Sequence, residues 1–220
     1  MEKKVAFFHT TMGTPLPLKK AFEEKYPGIQ LITVMDDSVL PEVDANNGIY
    51  TPGIVRRLVN FGTNAQMQGA VVACCMCTTL TMAVQEAQKA MDIPFLTIDG
   101  PMLAEAVTKG DRLALIVTAK TTIEASGRSA RQAAERAGKP DMDIDVILVE
   151  GAFEAKNKLH DNELHDRLVV ECARKVAENH DVIALAQVSM VDCAKQLEDL
   201  KIPVLTSLDS GIAQLERYLR

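Results

Sequence analysis

Gly69–Leu80 reads GAVVACCMCTTL: an apolar run, Ala70–Cys74, gives way to Cys75-Met76-Cys77-Thr78-Thr79 and then to a helix-like segment, TMAVQEAQKAM. An apolar run without alternation, opened by a glycine and followed directly by a helix, has the pattern of a parallel strand buried on both faces. Thiols and hydroxyls then gather at its carboxyl end. In open α/β sheets that edge binds ligands, because the next helix presents unpaired N–H groups and the positive end of its dipole there. A thiol in that field has its thiolate favoured, so the stretch predicts a reactive cysteine. Cys74 and Cys75 continue the apolar run and read as small core residues. Cys77 is followed by two hydroxyl residues at a helix start and reads as the reactive one.

Working outward, the chain has enough apolar residues, 47% of 220, to bury a real core. A net charge of −6 with no basic run or stripe argues against nucleic acid as a partner. The opening MEKKVAFFHTTMG is too short in apolar residues for a signal-peptide core or a membrane span. Five cysteines, three of them at positions 74, 75 and 77, do not form a disulfide framework. The expectation is a reduced, cytoplasmic protein with no membrane partner.

Apolar runs alternate with amphipathic segments, the signature of βαβ units, and they do so twice. KVAFFH (Lys4–His9) resembles RLALIVT (Arg112–Thr118), IQLITV (Ile29–Val34) resembles IDVILV (Ile144–Val149), GAVVAC (Gly69–Cys74) resembles DVIALA (Asp181–Ala186), and IPFLT (Ile93–Thr97) resembles IPVLT (Ile202–Thr206). The offsets, 108, 115, 112 and 109 residues, are nearly constant in the same order, which argues for a duplicated half. The prediction is an α/β protein of two lobes related by a pseudo-twofold axis, each a four-stranded parallel sheet flanked by helices, with the active site in the cleft between them. Helices are expected at Pro15–Tyr26, Thr51–Ala65 and Thr122–Ala137. Glu154–Asn179 is one helix or two, and PEVDANNG (Pro41–Gly48) reads as a loop. The lobes are residues 1–98 with a returning C-terminal helix at 208–220, and residues 99–207.

In that arrangement Cys77-Thr78-Thr79 faces Gln187-Val188-Ser189, and His9, Thr10 and Thr11 face Thr118, Thr121 and Thr122. Hydroxyls and backbone N–H groups at several helix starts, without a basic cluster, suit a small carboxylate, although any single Ser or Thr there could be a helix cap. His9 is either a hydrogen-bonded structural histidine or a substrate contact, and Asp36 and Asp37 either cap the turn after the second strand or meet a substrate hydroxyl. Cys74 and Cys77 form a CxxC with no second ligand pair at zinc spacing. His160 and His165, five apart in a charged segment, read as solvated rather than metal-binding. The absence of GxGxxG or GxxxxGK removes most nucleotide-dependent chemistry. No metal or organic cofactor is expected.

Duplicated four-stranded lobes with a cysteine just past the third strand resemble the aspartate/glutamate racemase superfamily, which includes hydantoin racemases, maleate isomerases and arylmalonate decarboxylases. The resemblance covers essentially the whole chain. It is closest to a branch that reads like FFHTT after strand one, MDDSVL after strand two, CTT after strand three, IDGPMLAEAV at the lobe junction, VEGAF at Val149–Phe153 and LAQVSM at Leu185–Met190. The resemblance implies a cofactor-independent isomerase of racemase or epimerase type acting on a small carboxylic or amino acid, in a homo-oligomer, commonly a dimer. It implies a catalytic cysteine at Cys77, or at Cys74 if the apolar strand alone is aligned. His9, Thr10, Asp37, Thr78, Thr79, Thr118, Thr121, Thr122, Gln187 and Ser189 are the candidate substrate contacts. In the family's racemases a second cysteine faces the first; here Ala186-Gln187-Val188 stands in its place. That departure admits a one-thiol decarboxylase, or a relative that binds a small acid without turning it over.

Overall fold

The strand β1 (Lys4–His9) is a near-unbroken apolar hexapeptide, and it is buried on both faces because alternate side chains meet different helices. Phe7 packs edge-on against Phe22 of α1 (Pro15–Lys25), with ring centroids 5.3 Å apart, while Phe8 meets Phe61 of the helix that covers the opposite face, at 5.1 Å. The computed structural model describes residues 3–220, in two compact units: residues 3–98 with 209–220, and residues 99–208.

Unit 1 continues through β2 (Gln30–Met35), α2 (Val39–Ala45), α3 (Pro52–Met67), β3 (Ala70–Cys75), a 3₁₀ turn at Thr78–Leu80, α4 (Thr81–Gln88) and β4 (Phe95–Thr97). Its parallel sheet has the order β2-β1-β3-β4. The central pair β1 and β3 is buried and the edge strand β2 is half-exposed, as the residue types require. The register sets Phe8 opposite Cys75 and Cys75 opposite Thr97, so these strands end together. At the start of α3, Thr51 Oγ1 accepts from Ile54 N–H at 3.3 Å, with Pro52 as the first helical residue.

Unit 2 repeats the plan with α5 (Gly100–Ala106), β5 (Arg112–Val117), a 3₁₀ turn at Lys120–Thr122, α6 (Ile123–Arg136) and β6 (Asp143–Leu148). Then follow α7 (Ala152–Asn157), α8 (Asn162–Val176), β7 (Val182–Leu185), a 3₁₀ turn at Val188–Met190, α9 (Val191–Lys195) and β8 (Val204–Thr206). Its sheet order is β6-β5-β7-β8, the same as in unit 1, and its core is an aliphatic cluster around Leu113, Leu115, Ile116, Ile183 and Leu185. The chain ends in α10 (Ser207–Ala213) and α11 (Glu216–Leu219), and residues 209–220 pack as part of unit 1.

Two local expectations are corrected, and one open alternative is resolved. The segment read as the loop PEVDANNG is helical as far as Ala45. Pro41 falls in the first turn of α2, where its missing N–H has no intrahelical role, and Val39 and Val43, one turn apart, are both buried. The long segment at 154–179 is two helices: the chain breaks at His160, whose φ is 55°, and restarts where Asp161 accepts from Leu164 N–H at 2.9 Å. The last helix is also two pieces, α10 and α11.

Candidate active site

At the carboxyl edge of unit 1, Met76 N–H donates to Phe8 O at 2.8 Å, which carries β3's last hydrogen bond one residue past the strand. Cys77 follows in extended conformation, φ −131°, and the chain then tightens into the 3₁₀ turn. The Thr10 and Thr79 side chains and the backbone N–H groups of Thr79 and Leu80 all hydrogen-bond the Cys77 sulfur. Burial pushes the thiol up, and these four bonds, which favour the thiolate, offset it only in part. The resting group is therefore a thiol, and the expectation of a dipole-stabilised thiolate is corrected: removal from water outweighs the field of the turn. Cys77 keeps 9% of its surface exposed, whereas Cys74 and Cys75 keep none.

Unit 2 supplies an internal standard for this position. Phe8 pairs with Cys75 as Ile116 pairs with Leu185, and Cys75 pairs with Thr97 as Leu185 pairs with Thr206. Cys75 therefore corresponds to Leu185, Cys77 to Gln187, Thr79 to Ser189 and Thr10 to Thr118. Cys77 and Gln187 each stand, extended, immediately before a 3₁₀ turn. Where Thr10 bonds Cys77, Thr118 N–H donates to Gln187 Oε1 at 3.0 Å. Gln187 Nε2 points to Thr122 Oγ1 at 3.5 Å, and that hydroxyl donates to Ala119 O at 2.5 Å. By the same register Cys74 corresponds to Ala184, in mid-strand.

The other sequence candidates separate into groups. Thr10 and Thr79 gather at Cys77, and Thr118 and Thr122 gather at Gln187. Thr78 is buried within its 3₁₀ turn, Thr121 and Ser189 are half-buried in theirs, and Asp37 is exposed beyond β2. His9 does not join Cys77. It shares the α1 face of the sheet with Phe7, their ring centroids 6.2 Å apart, while Cys77 belongs to the cluster on the opposite face with Phe8 and Phe61. Thr14's hydroxyl donates to Thr11 O at 3.1 Å, so His9 Nδ1 carries the ring proton and donates to Thr14 Oγ1 at 3.1 Å. His9 Nε2 is buried without a hydrogen-bond partner, and burial lowers the imidazole to about 4, which keeps it neutral.

Sequence reasoning missed three groups. Thr14 fixes the His9 tautomer and carries no more signal than any threonine before a helix. Arg57 of α3 donates to Asp36 Oδ2 at 2.9 Å, to Ser38 Oγ at 2.8 Å and to Glu42, tying the end of β2 to α2 and α3. Burial raises Asp36, but the Ser38 hydroxyl, the Arg57 charge and the Ser38 N–H together hold it below the ordinary carboxylate value. His165, read as solvated, is fully buried beside Asp166 and Cys193; its residues are too far apart in sequence to form a motif.

A family model described as Asp/Glu/Hydantoin racemase matches residues 23–215. No curated protein matches the chain. Among solved structures, the chain is similar to glutamate racemase from Aquifex pyrophilus, at 18% identity and TM-score 0.67, covering 99% of this chain and 84% of that one. It is similar to an aspartate racemase homologue from Pyrococcus horikoshii, at 18% identity and TM-score 0.67, covering 100% and 99%. It is also similar to a liganded double mutant of arylmalonate decarboxylase, glycine to cysteine and cysteine to serine, at 20% identity and TM-score 0.65, covering 99% and 92%. These likenesses establish the fold, and the family match, which covers most of the chain and reaches both units, establishes the lineage: the chain belongs to the Asp/Glu/hydantoin racemase family.

Proposed function

We propose that this chain is a cofactor-independent isomerase of a small carboxylic acid in which Cys77 is the one proton-carrying group. The observation that carries the isomerase reading is the family match, and the correspondence of Cys77 with Gln187 limits it to one proton carrier. A racemase with two thiols has an acid on each face of the α-carbon; an amide has no proton to exchange at neutral pH, and an unassisted serine is far from the required pKa. The Gln187 and Ser189 side chains and nearby backbone N–H groups serve instead as donors to a substrate carboxylate or to the charge that grows on it.

The chemical step then belongs to Cys77. Its S–H bond breaks as a C–H bond forms on an enediolate carbon, and the thiolate left behind is held by Thr10, Thr79 and the Leu80 N–H. Run in reverse, the thiolate removes a proton from that carbon. One sulfur reaches one face of that carbon, so an isomerase that uses both directions also needs the planar enediolate to turn over in the site between removal and return. A decarboxylase uses only delivery, because loss of CO₂ itself creates the enediolate. The missing second acid favours this lyase as the alternative reading, and arylmalonate decarboxylase is among the proteins of similar fold.

The test is incubation in D₂O with a panel of hydroxy, amino and dicarboxylic acids. Deuterium at the α-carbon with formation of an isomer supports the isomerase; CO₂ release with one-handed deuteration supports the lyase. Cys77→Ala should lower turnover by about a thousandfold with an unchanged far-ultraviolet circular dichroism spectrum. If no acid in the panel turns over, both readings fail and a non-catalytic acid-binding protein remains.

A further inference from the structure

A second constellation lies wholly inside unit 2, where α8 packs on α9. His165 and Asp166 are neighbours on α8, and Cys193 is on α9. Asp166 Oδ1 is 2.7 Å from His165 Nδ1 and 3.4 Å from Cys193 Sγ, and one ligand atom from each residue lies within 4.8 Å of the other two. The His165 and Cys193 side chains are fully buried, whereas Asp166 keeps 24% of its side chain exposed. Among the described residues this is the one such group of three metal-ligating side chains.

In the metal-free protein two protons point at one carboxylate. The Asp166 carboxylate accepts here, so Sγ–H and Nδ1–H both donate to it. His165 Nε2 is left buried without a hydrogen-bond partner.

We propose that His165, Asp166 and Cys193 bind a divalent transition cation of the zinc type. Ligand bonds of about 2.0–2.3 Å in a tetrahedral site place ligand atoms about 3.3–3.8 Å apart, so the Asp166 oxygen, 2.7 Å from His165 Nδ1, would move away by about half an ångström, while the His165 and Cys193 ligand atoms, within 4.8 Å of each other, would draw together. A thiolate with an imidazole selects zinc-like ions over magnesium or calcium. On binding, Sγ loses its proton to solvent, the His165 ring proton moves from Nδ1 to Nε2, and the cation takes the three freed electron pairs. One proton is released per cation, and a water entering past Asp166 fills the fourth position. Because α9 directly follows the turn that holds Ser189, the cation would clamp that turn to α8.

The test is Co²⁺ titration of the reduced full-length chain. The expected result is a sulfur-to-cobalt charge-transfer band that saturates at one equivalent, bleaches on addition of Zn²⁺, survives Cys77→Ala and disappears in Cys193→Ser. Asp166→Asn should weaken Co²⁺ binding by about tenfold or more. No band in the wild-type chain, or a band that persists in Cys193→Ser, overturns the proposal. If Cys193→Ser does not fold, unchanged affinity in Asp166→Asn overturns it equally.

Discussion

At the scale of single residues, the chemistry of Cys77 is set by a contest between burial and hydrogen bonding, and burial wins. Alkylation of Cys77, followed on its own peptide by mass spectrometry, should therefore be slow at pH 7 and keep accelerating above pH 9, the ordinary thiol value. Thr79→Val removes a bond that favours the thiolate and should slow the reaction further at every pH; a rate that levels off below pH 8 would contradict this account. His9 makes a second residue-level prediction. Its folded value is about 4 against 6.5 unfolded, so between those limits the unfolded chain binds more protons, and stability falls as the pH drops from 6.5 to 4. The shift corresponds to about 3 kcal/mol at its full extent. Urea midpoints across that range should fall less steeply for His9→Gln than for the wild type. The residual slope in the variant comes in part from His165, whose folded value burial also lowers.

At the scale of elements, Gly211 of α10 decides between two opposed effects. Alanine there gains about 1 kcal/mol of helix propensity, but its Cβ would lie 2.4 Å from the Ile98 backbone oxygen and 2.4 Å from the Ile98 side chain. Since a backbone oxygen cannot swing aside, the clash should prevail, and Gly211→Ala should lower unfolding stability by a net of about 1–3 kcal/mol. An unchanged urea midpoint would show that α10 can shift freely. The strands were legible in the sequence because the central strands of both sheets are near-unbroken apolar runs set between amphipathic segments. The Cys77 position was legible for a related reason, since thiols and hydroxyls crowd directly behind such a run. Helix α2 was not, because Pro41, Asp44 and Asn46 carry turn chemistry and only the Val39–Val43 spacing betrays the turn of helix beneath it. The bonds that hold His9, Asp36 and Gln187 were not legible either: Asp36 and Arg57 are 21 residues apart, and Thr118 and Gln187 are 69 apart. Only the sheet order brings them together.

At the scale of the whole molecule, unit 1 is assembled from both ends of the described chain. Leu215 and Ile212 are buried in it, Tyr26 Oη donates to Ile212 O at 3.2 Å, and Gln214 Nε2 donates to Thr97 O at 2.9 Å. Removing one fully buried leucine or isoleucine side chain typically costs about 2–5 kcal/mol. Loss of two is comparable with a domain's total stability of about 5–15 kcal/mol. Truncation after Leu208 should thus abolish amide-exchange protection in β1 and β3 while leaving β5 and β7 protected; equal protection in both sheets would refute the assignment. The same discontinuity orders events during synthesis. The ribosome makes the first sheet's strands early, yet that half cannot close until residues 209–220 emerge, by which time the later half is already free to fold. The segment bearing Cys77 thus waits longest for its shelter, and a nascent thiol is most open to oxidation or chaperone contact in that interval.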